Sequence, residues 1–459
     1  MRFQASISII AVAASLASGG CAPTVHLTVE TAVLSPDWST PAPLPANAET
    51  SSAEVPTLAA LLGSPELAKL TQQALVANPN LRAAQARIEQ AMAGLRIARG
   101  ASLPLVSISA GASATRSSSG GPFEFSTSFA AIDALLSVDI SGEKAAGRLA
   151  AAQRVRAAGF DRDALSLAIS ADIARIFVQR ATLSARLDLV DRSIASTAKL
   201  QRILEIRQRE GVATRVDVGL QIIRVKELEA ERNRLDQALD QTRTALAVLS
   251  GEEAPRFVSA PAALDRFVLA GLRIPKPSAL IVVRPDIMAA EARIRAAGGD
   301  VAQARAAFLP RLDISLSRAA QGILNGGPLA GVVLGADILL PIFGRNRLKG
   351  GLDQATAAQR ESVEAYRQVL LVALAEVEDA LSAVGHARDR SAILADIDRE
   401  ATLTADLAQR QYLEGDADLR AVFDAQDLLI GAQDARAISI QEQLEASIAL
   451  YRATRRSGG

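Results

Sequence analysis

The chain has 459 residues, 49% of them hydrophobic and 22% charged, with 50 basic side chains against 50 acidic ones. Zero net charge leaves no basic excess for a phosphate backbone, so nucleic acid is not the expected partner. A single cysteine excludes an internal disulfide, and His26 and His386 stand apart from any ligand-like spacing, so both read as surface residues and no metal or cofactor is expected.

At the N-terminus Arg2 precedes an apolar run, Ile7 to Ala17, that is too short to span a bilayer as a helix but suits a signal peptide over residues 1–20. Ser18-Gly19-Gly20 then lead into Cys21. This resembles the lipobox of bacterial lipoproteins, whose cysteine becomes the acylated first residue of the mature chain, although Ser18 stands where leucine is usual and Leu16 lies further back. The alternative is a plain secretory signal cleaved nearby, with Cys21 incidental. No later stretch reaches about 18 uninterrupted apolar residues, so a membrane span in the mature chain would have to be built of strands.

A Pro/Ser/Ala-rich linker over residues 21–65 is followed by a duplication. The run Asn78-Pro79-Asn80-Leu81-Arg82-Ala83-Ala84-Gln85-Ala86-Arg87-Ile88 returns as Arg284-Pro285-Asp286-Ile287-Met288-Ala289-Ala290-Glu291-Ala292-Arg293-Ile294. The same offset carries Leu103-Pro104 onto Leu309-Pro310, and Glu210-Gly211 recurs as Glu414-Gly415. The repeats occupy 66–250 and 278–453, with a connector at 251–277 that holds four prolines and a tail at 454–459.

Each repeat opens with a helix that has proline near its start, where the missing N–H costs nothing, and ends before Leu-Pro. A β-hairpin follows, at 104–141 and again at 310–343. In the first copy Val106, Ile108 and Ala110 alternate with Ser107, Ser109 and Gly111; the return strand has Ile132, Ala134, Leu136 and Val138 between Asp133, Ser137 and Asp139. In the second copy Leu312, Ile314 and Leu316 alternate with Asp313, Ser315 and Ser317, and Val332, Leu334, Ala336, Ile338, Leu340 and Ile342 return past Gly335 and Asp337. Strands of about 10 residues, apolar on one face only, suit a transmembrane barrel. A soluble sandwich hairpin has the same pattern, so the strands alone do not decide.

The next segments, 142–210 and 344–414, contain no proline, and their period lengthens to three and four. Ile169, Ile173, Ile176, Leu183, Leu187, Val190 and Ile194 form one heptad seam interrupted by Arg180; Leu370, Leu374, Val377, Leu381 and Val384 form the other. Helices of nearly 70 residues run roughly 100 Å at 1.5 Å per residue, far beyond a compact domain. Gly211 and Gly415 stop them, and return helices are expected over 213–250 and 418–453. A cytosolic or periplasmic coiled-coil scaffold would explain the helices but leaves the signal peptide and hairpins without a role. A hydrolase lacks its Gly-x-Ser-x-Gly elbow, its histidine dyad and its phosphate loop, so no catalytic residue is assigned.

Three ordered stretches, Arg284-Pro285-Asp286-Ile287 through Ile294, Ala304-Arg305-Ala306-Ala307-Phe308-Leu309-Pro310, and Leu340-Pro341-Ile342-Phe343-Gly344, resemble the TolC-like outer membrane factor family. The likeness is to its lipoprotein branch, which serves resistance-nodulation-division (RND) efflux, and it covers about Leu58 to Arg452. It implies a mixed α and β fold: a homotrimer whose subunits each give four strands to a twelve-stranded barrel, continued by an α-helical coiled-coil tunnel across the periplasm. It also implies a small-molecule efflux duct in the outer membrane, lipid-anchored at Cys21, with a periplasmic adaptor (membrane fusion) protein and an inner-membrane RND pump as partners. A type I secretion exit duct is the alternative within the same fold. Counting from the tip glycines, Asp217, Asp424 and Tyr412 match the family's periplasmic gate positions, while Ala417 and Ala421 replace its basic and acidic partners, and Asp418 and Arg420 lie out of register. The tips Gly211-Val212 and Gly415-Asp416 are the expected adaptor-docking places. Phe123, Phe125 and Phe129 are read as an outer aromatic girdle, and Phe343 with Phe308 as a thin inner one.

Overall fold

The computed structural model describes residues 37–39, 57–115, 124–258, 263–267, 274–321 and 329–455. The signal peptide, Cys21, Phe123 and both hairpin loops lie outside them. The elements run α1 (Leu58–Leu61), α2 (Pro65–Ala77), α3 (Pro79–Gly100), β1 (Leu105–Thr115), β2 (Glu124–Val138), α4 (Glu143–Arg209) and α5 (Arg215–Ser250). After the connector come α6 (Pro277–Leu280), α7 (Pro285–Ala306), β3 (Arg311–Gln321), β4 (Leu329–Leu339), α8 (Arg345–Glu414) and α9 (Leu419–Thr454). The two long helices have 67 and 70 residues. Among the described residues no helix is long and apolar enough to cross a membrane.

The chain divides into two units. The first combines 86–160 with 288–369 and contains the sheet. Its strands pair antiparallel in the order β1-β2-β3-β4, so β1 and β4 are open edges. Register aligns the apolar residues into rows that cross the strands: Val106, Ala134, Leu316 and Leu334 form one, and Ile108, Ile132 and Val332 the next, with Arg318 between the last two. Ser107, Asp133 and Ser317 lie on the opposite face, as do Ser137, Asp313 and Asp337. A period of two cannot place both sets on one side, which is why the alternation in the sequence becomes a two-faced sheet.

Phe129 does not belong to the expected aromatic girdle. It pairs with Gly111 on the face of Ser107 and Asp133, and a Cβ on Gly111 would lie 2.6 Å from its ring. The ring covers the bare glycine on the polar side instead of standing among the aliphatic rows. Below the sheet, Asp139 accepts hydrogen bonds from the backbone N–H groups of Lys144 (3.2 Å) and Ala145 (2.7 Å), capping the otherwise unsatisfied first turn of α4. In the same unit α7 approaches α4 closely at Gly299, where an added Cβ would meet the Ala150 side chain at 2.9 Å and the Ala146 carbonyl at 3.1 Å.

The second unit holds 37–39, 57–85, 161–258, 263–267, 274–287 and 370–455 among its described residues. Its core gathers Ile173, Phe177, Leu246, Leu280, Val377, Leu381 and Leu450, all buried, with Phe177 and Phe267 edge to face at 6.1 Å. Arg180, the break in the heptad seam, donates to the Leu239 carbonyl at 3.2 Å; burial pulls its pKa down. Arg284 is buried and fully engaged. It donates to Asp286 (3.0 and 2.6 Å), to Glu376 (2.7 Å) and to the Ala453 carbonyl in the last turn of α9 (3.1 Å). One guanidinium therefore ties the start of α7 to α8 and satisfies a terminal carbonyl of α9.

The two-faced sheet generates a direct test of the membrane-barrel expectation. Ile314→Arg or Leu334→Arg puts a cation on the apolar face, at a cost of about 2–4 kcal/mol near the bilayer midplane, whereas Ser315→Arg puts it on the polar face. Heat-stable oligomer recovered from membranes is expected to fall sharply for the first two and little for the third; equal losses would place the faces wrongly.

Candidate functional site

The tips of the two helical hairpins are built alike and finished differently. Gly211 has φ +75° and Gly415 φ +89°, the left-handed conformation that ends a helix without a Cβ penalty. The N–H of Val212 donates to the Arg207 carbonyl at 2.8 Å, and that of Asp416 to the Gln411 carbonyl at 2.8 Å, so each long helix closes its final turn on itself. Val212 and Val216 stand out at 72% and 67% exposure.

At the first tip Thr214 and Asp217 form a reciprocal cap on α5. The Asp217 N–H donates to Thr214 Oγ1 at 3.2 Å, while the Asp217 carboxylate accepts from the Thr214 N–H at 2.8 Å and its hydroxyl at 2.8 Å. The backbone hydrogen bond from Thr214, followed by the hydroxyl, holds the Asp217 carboxyl below the usual carboxylate range. At the second tip the equivalent of Asp217 is Ala421, which cannot reciprocate. Asp418 takes the whole task, accepting the Ala421 N–H at 2.9 Å. Its place out of the family register thus has a local cause: a carboxylate at the cap itself compensates for an alanine three residues on.

Tyr412 meets a partner that sequence reasoning missed. Arg207, in the last turn of α4, donates to the Tyr412 hydroxyl at 2.5 Å, and its guanidinium carbon lies 4.7 Å from the centre of the Tyr412 ring. Further along, Arg224 of α5 pairs with Asp427 of α9 and reaches Glu227 at 3.2 Å. Arg186 of α4 grips Asp434 of α9 with two hydrogen bonds, at 2.5 and 3.1 Å. All three bridges run from an arginine of the first repeat to an acceptor of the second. Among the described residues no hydrogen bond joins Asp217 or Asp424 to Tyr412. Asp424 is exposed beside Leu394, Ile397 and Leu428, in a groove of about 630 Å³ along α8 and α9.

These bridges differ in strength. Arg186 keeps 16% of its side-chain exposure and binds in the two-pronged geometry, whereas Arg224 and Asp427 keep 32% and 55%. Pairs as open as the latter contribute about 0–1 kcal/mol each. The hairpins are therefore held weakly near the tips and more firmly further along.

The sequence matches the family model described as outer membrane efflux protein over residues 70–252 and 277–454. It is 33% identical over 408 residues to the pyoverdine export outer membrane protein OpmQ of Pseudomonas putida, covering 85% of this chain and 86% of that protein. OpmQ of Pseudomonas aeruginosa is 32% identical over 413 residues, covering 85% of each chain. The crystal structure of the outer membrane protein VceC from Vibrio cholerae superposes with a TM-score of 0.78 at 25% identity, covering 85% of this chain and 96% of that one.

Proposed function

The chain belongs to the outer membrane efflux protein family, as the channel component of an efflux system in the outer membrane, and we propose that it works as a homotrimer with a periplasmic adaptor and an inner-membrane RND pump. The observation that carries this reading is the sheet: four strands, one aliphatic face and two open edges. Four strands are too few to close, since the smallest membrane barrels have eight, and three copies supply twelve. The family consists of channels, and a channel needs no covalent chemistry; it selects by width and charge. The chain is accordingly not an enzyme, and its cargo is the small molecules that the pump delivers. Likeness to pyoverdine exporters supports small-molecule cargo over secreted proteins.

The periplasmic gate lies at the hairpin tips. Tyr412, tied to Arg207, keeps the second hairpin against the first, and Arg224 with Asp427 adds a second catch. Asp217 sets the start of α5 through its cap, and Asp424 places a carboxylate on the facing helix. Weak, exposed catches suit a gate that a bound partner must open, because the partner's differential affinity for the open form has little to overcome. Gly211-Val212 and Gly415-Asp416 form the adaptor-docking edge: small residues let a helix approach, and exposed Val212 offers apolar contact. Cys21 carries the lipid anchor, supported by its place after small residues at the end of an apolar run.

Three measurements test these assignments. Arg207→Ala with Arg224→Ala removes two catches worth up to about 2 kcal/mol together, which shifts the open-to-closed ratio by up to roughly thirty-fold. Single-channel conductance in planar bilayers is expected to rise with assembly intact, and Asp424→Ala is expected to move it the same way; parental conductance in both would remove the gate. Val212→Asp is expected to abolish adaptor pull-down and efflux while conductance stays normal, and undiminished pull-down would move docking elsewhere. Mass spectrometry of the mature protein is expected to find acyl chains on an N-terminal Cys21; an unmodified N-terminus beyond it refutes the anchor.

A further inference from the structure

Among the described residues of the sheet's aliphatic face, Arg318 is the one charged side chain. It is the eighth of the eleven residues of β3 and exposed, and its cross-strand neighbours are Ile132 on β2 and Val332 on β4. Because β3 is an inner strand, Arg318 cannot serve the open edges where copies of the chain would meet. It stands six residues beyond Leu312, roughly 20 Å along the strand at about 3.4 Å per residue, towards the end remote from α7. A guanidinium cannot shed its proton, so neutralisation is no escape from the lipid. It must lie at the polar boundary of the outer leaflet or find an anion there. The next row outward is small: Ala110, Ala130 and Ala320 sit side by side on three strands. That row leaves a shallow shelf beside the guanidinium, bounded on the inner side by the larger Ile108 and Ile132.

We infer that Arg318 and its alanine shelf hold the phosphate group of an outer-leaflet lipid on the outside of the barrel wall. The inference rests on the outer-membrane channel reading of the sheet. Arginine suits the task because its planar fork meets two phosphate oxygens at once, whereas lysine offers a single point charge. The aliphatic stem of the side chain lies along Ile132 and Val332 while the head reaches the headgroup level. Each copy of the chain would hold one such lipid.

The test uses the full-length channel in phosphatidylcholine vesicles doped with lipid A or with dephosphorylated lipid A, with retained lipid counted by native mass spectrometry. The parent is expected to keep one lipid A per protomer and to lose it when the phosphates are removed. Arg318→Leu is expected to weaken retention at least roughly tenfold and Arg318→Lys to weaken it partially, with conductance unchanged in both. Retention by Arg318→Leu equal to the parent's, or equal retention of the dephosphorylated lipid, overturns the inference. A parent that neither inserts nor conducts would instead overturn the channel reading, so the two failures are distinguishable.

Discussion

Everything in the sheet follows from the hydrogen bonds that β1 and β4 cannot make alone. In water an open edge is solvated, but in a lipid interior each unpaired N–H or carbonyl costs several kcal/mol, and an eleven-residue edge presents a row of them. A penalty of that size exceeds the whole stability of an ordinary domain, so edge pairing between copies and membrane insertion cannot be separate events. The aliphatic rows and polar rows have meaning only once that closure exists, since closure decides which face meets lipid and which encloses water. Even Phe129 fits: an aromatic ring over Gly111 shields backbone on the enclosed face without spending aliphatic surface on it.

The helical hairpins obey a different balance. Their deep part is held by buried aliphatics and by Arg284, whose charge is retained because Asp286 and Glu376 outweigh the desolvation that opposes it. Removing both carboxylates would leave the buried guanidinium uncompensated, which is destabilising. The tips carry no comparable investment. Their order comes from caps, from turn glycines and from exposed pairs, each a small fraction of the core's contribution. Local stability is therefore lowest where burial stops, at the end of the hairpins to which the proposed gate is assigned.

Much of this was legible in the sequence because both periods are simple. The alternation of Leu312, Ile314 and Leu316 with Asp313, Ser315 and Ser317 assigned the faces that the register displays. The seam from Ile169 to Ile194 likewise lies on the packed side of α4. Phe129 was misassigned because aromatic residues were counted without their parity, which the pairing with Gly111 supplies. The bridges of Arg186, Arg207 and Arg224 were out of reach for another reason. Their partners stand 248, 205 and 203 residues away, a separation at which no local spacing rule operates. Asp418 looked like a shifted gate residue until the N-cap geometry explained it.

The direction of those three bridges bears on how the chain can evolve. At the offset of 204 residues between the tips, the acceptors Tyr412, Asp427 and Asp434 have Gln208, Ile223 and Ala230 as their counterparts, so no bridge is mirrored by a twin. At these three places the first half donates and the second accepts. Once the copies had diverged in this way, neither could substitute for its twin, and a ring assembled from the first repeat alone would lack the acceptor of each bridge. Duplication thus became a ratchet: what began as redundancy turned into a dependence of each half on the other that point mutations cannot easily undo.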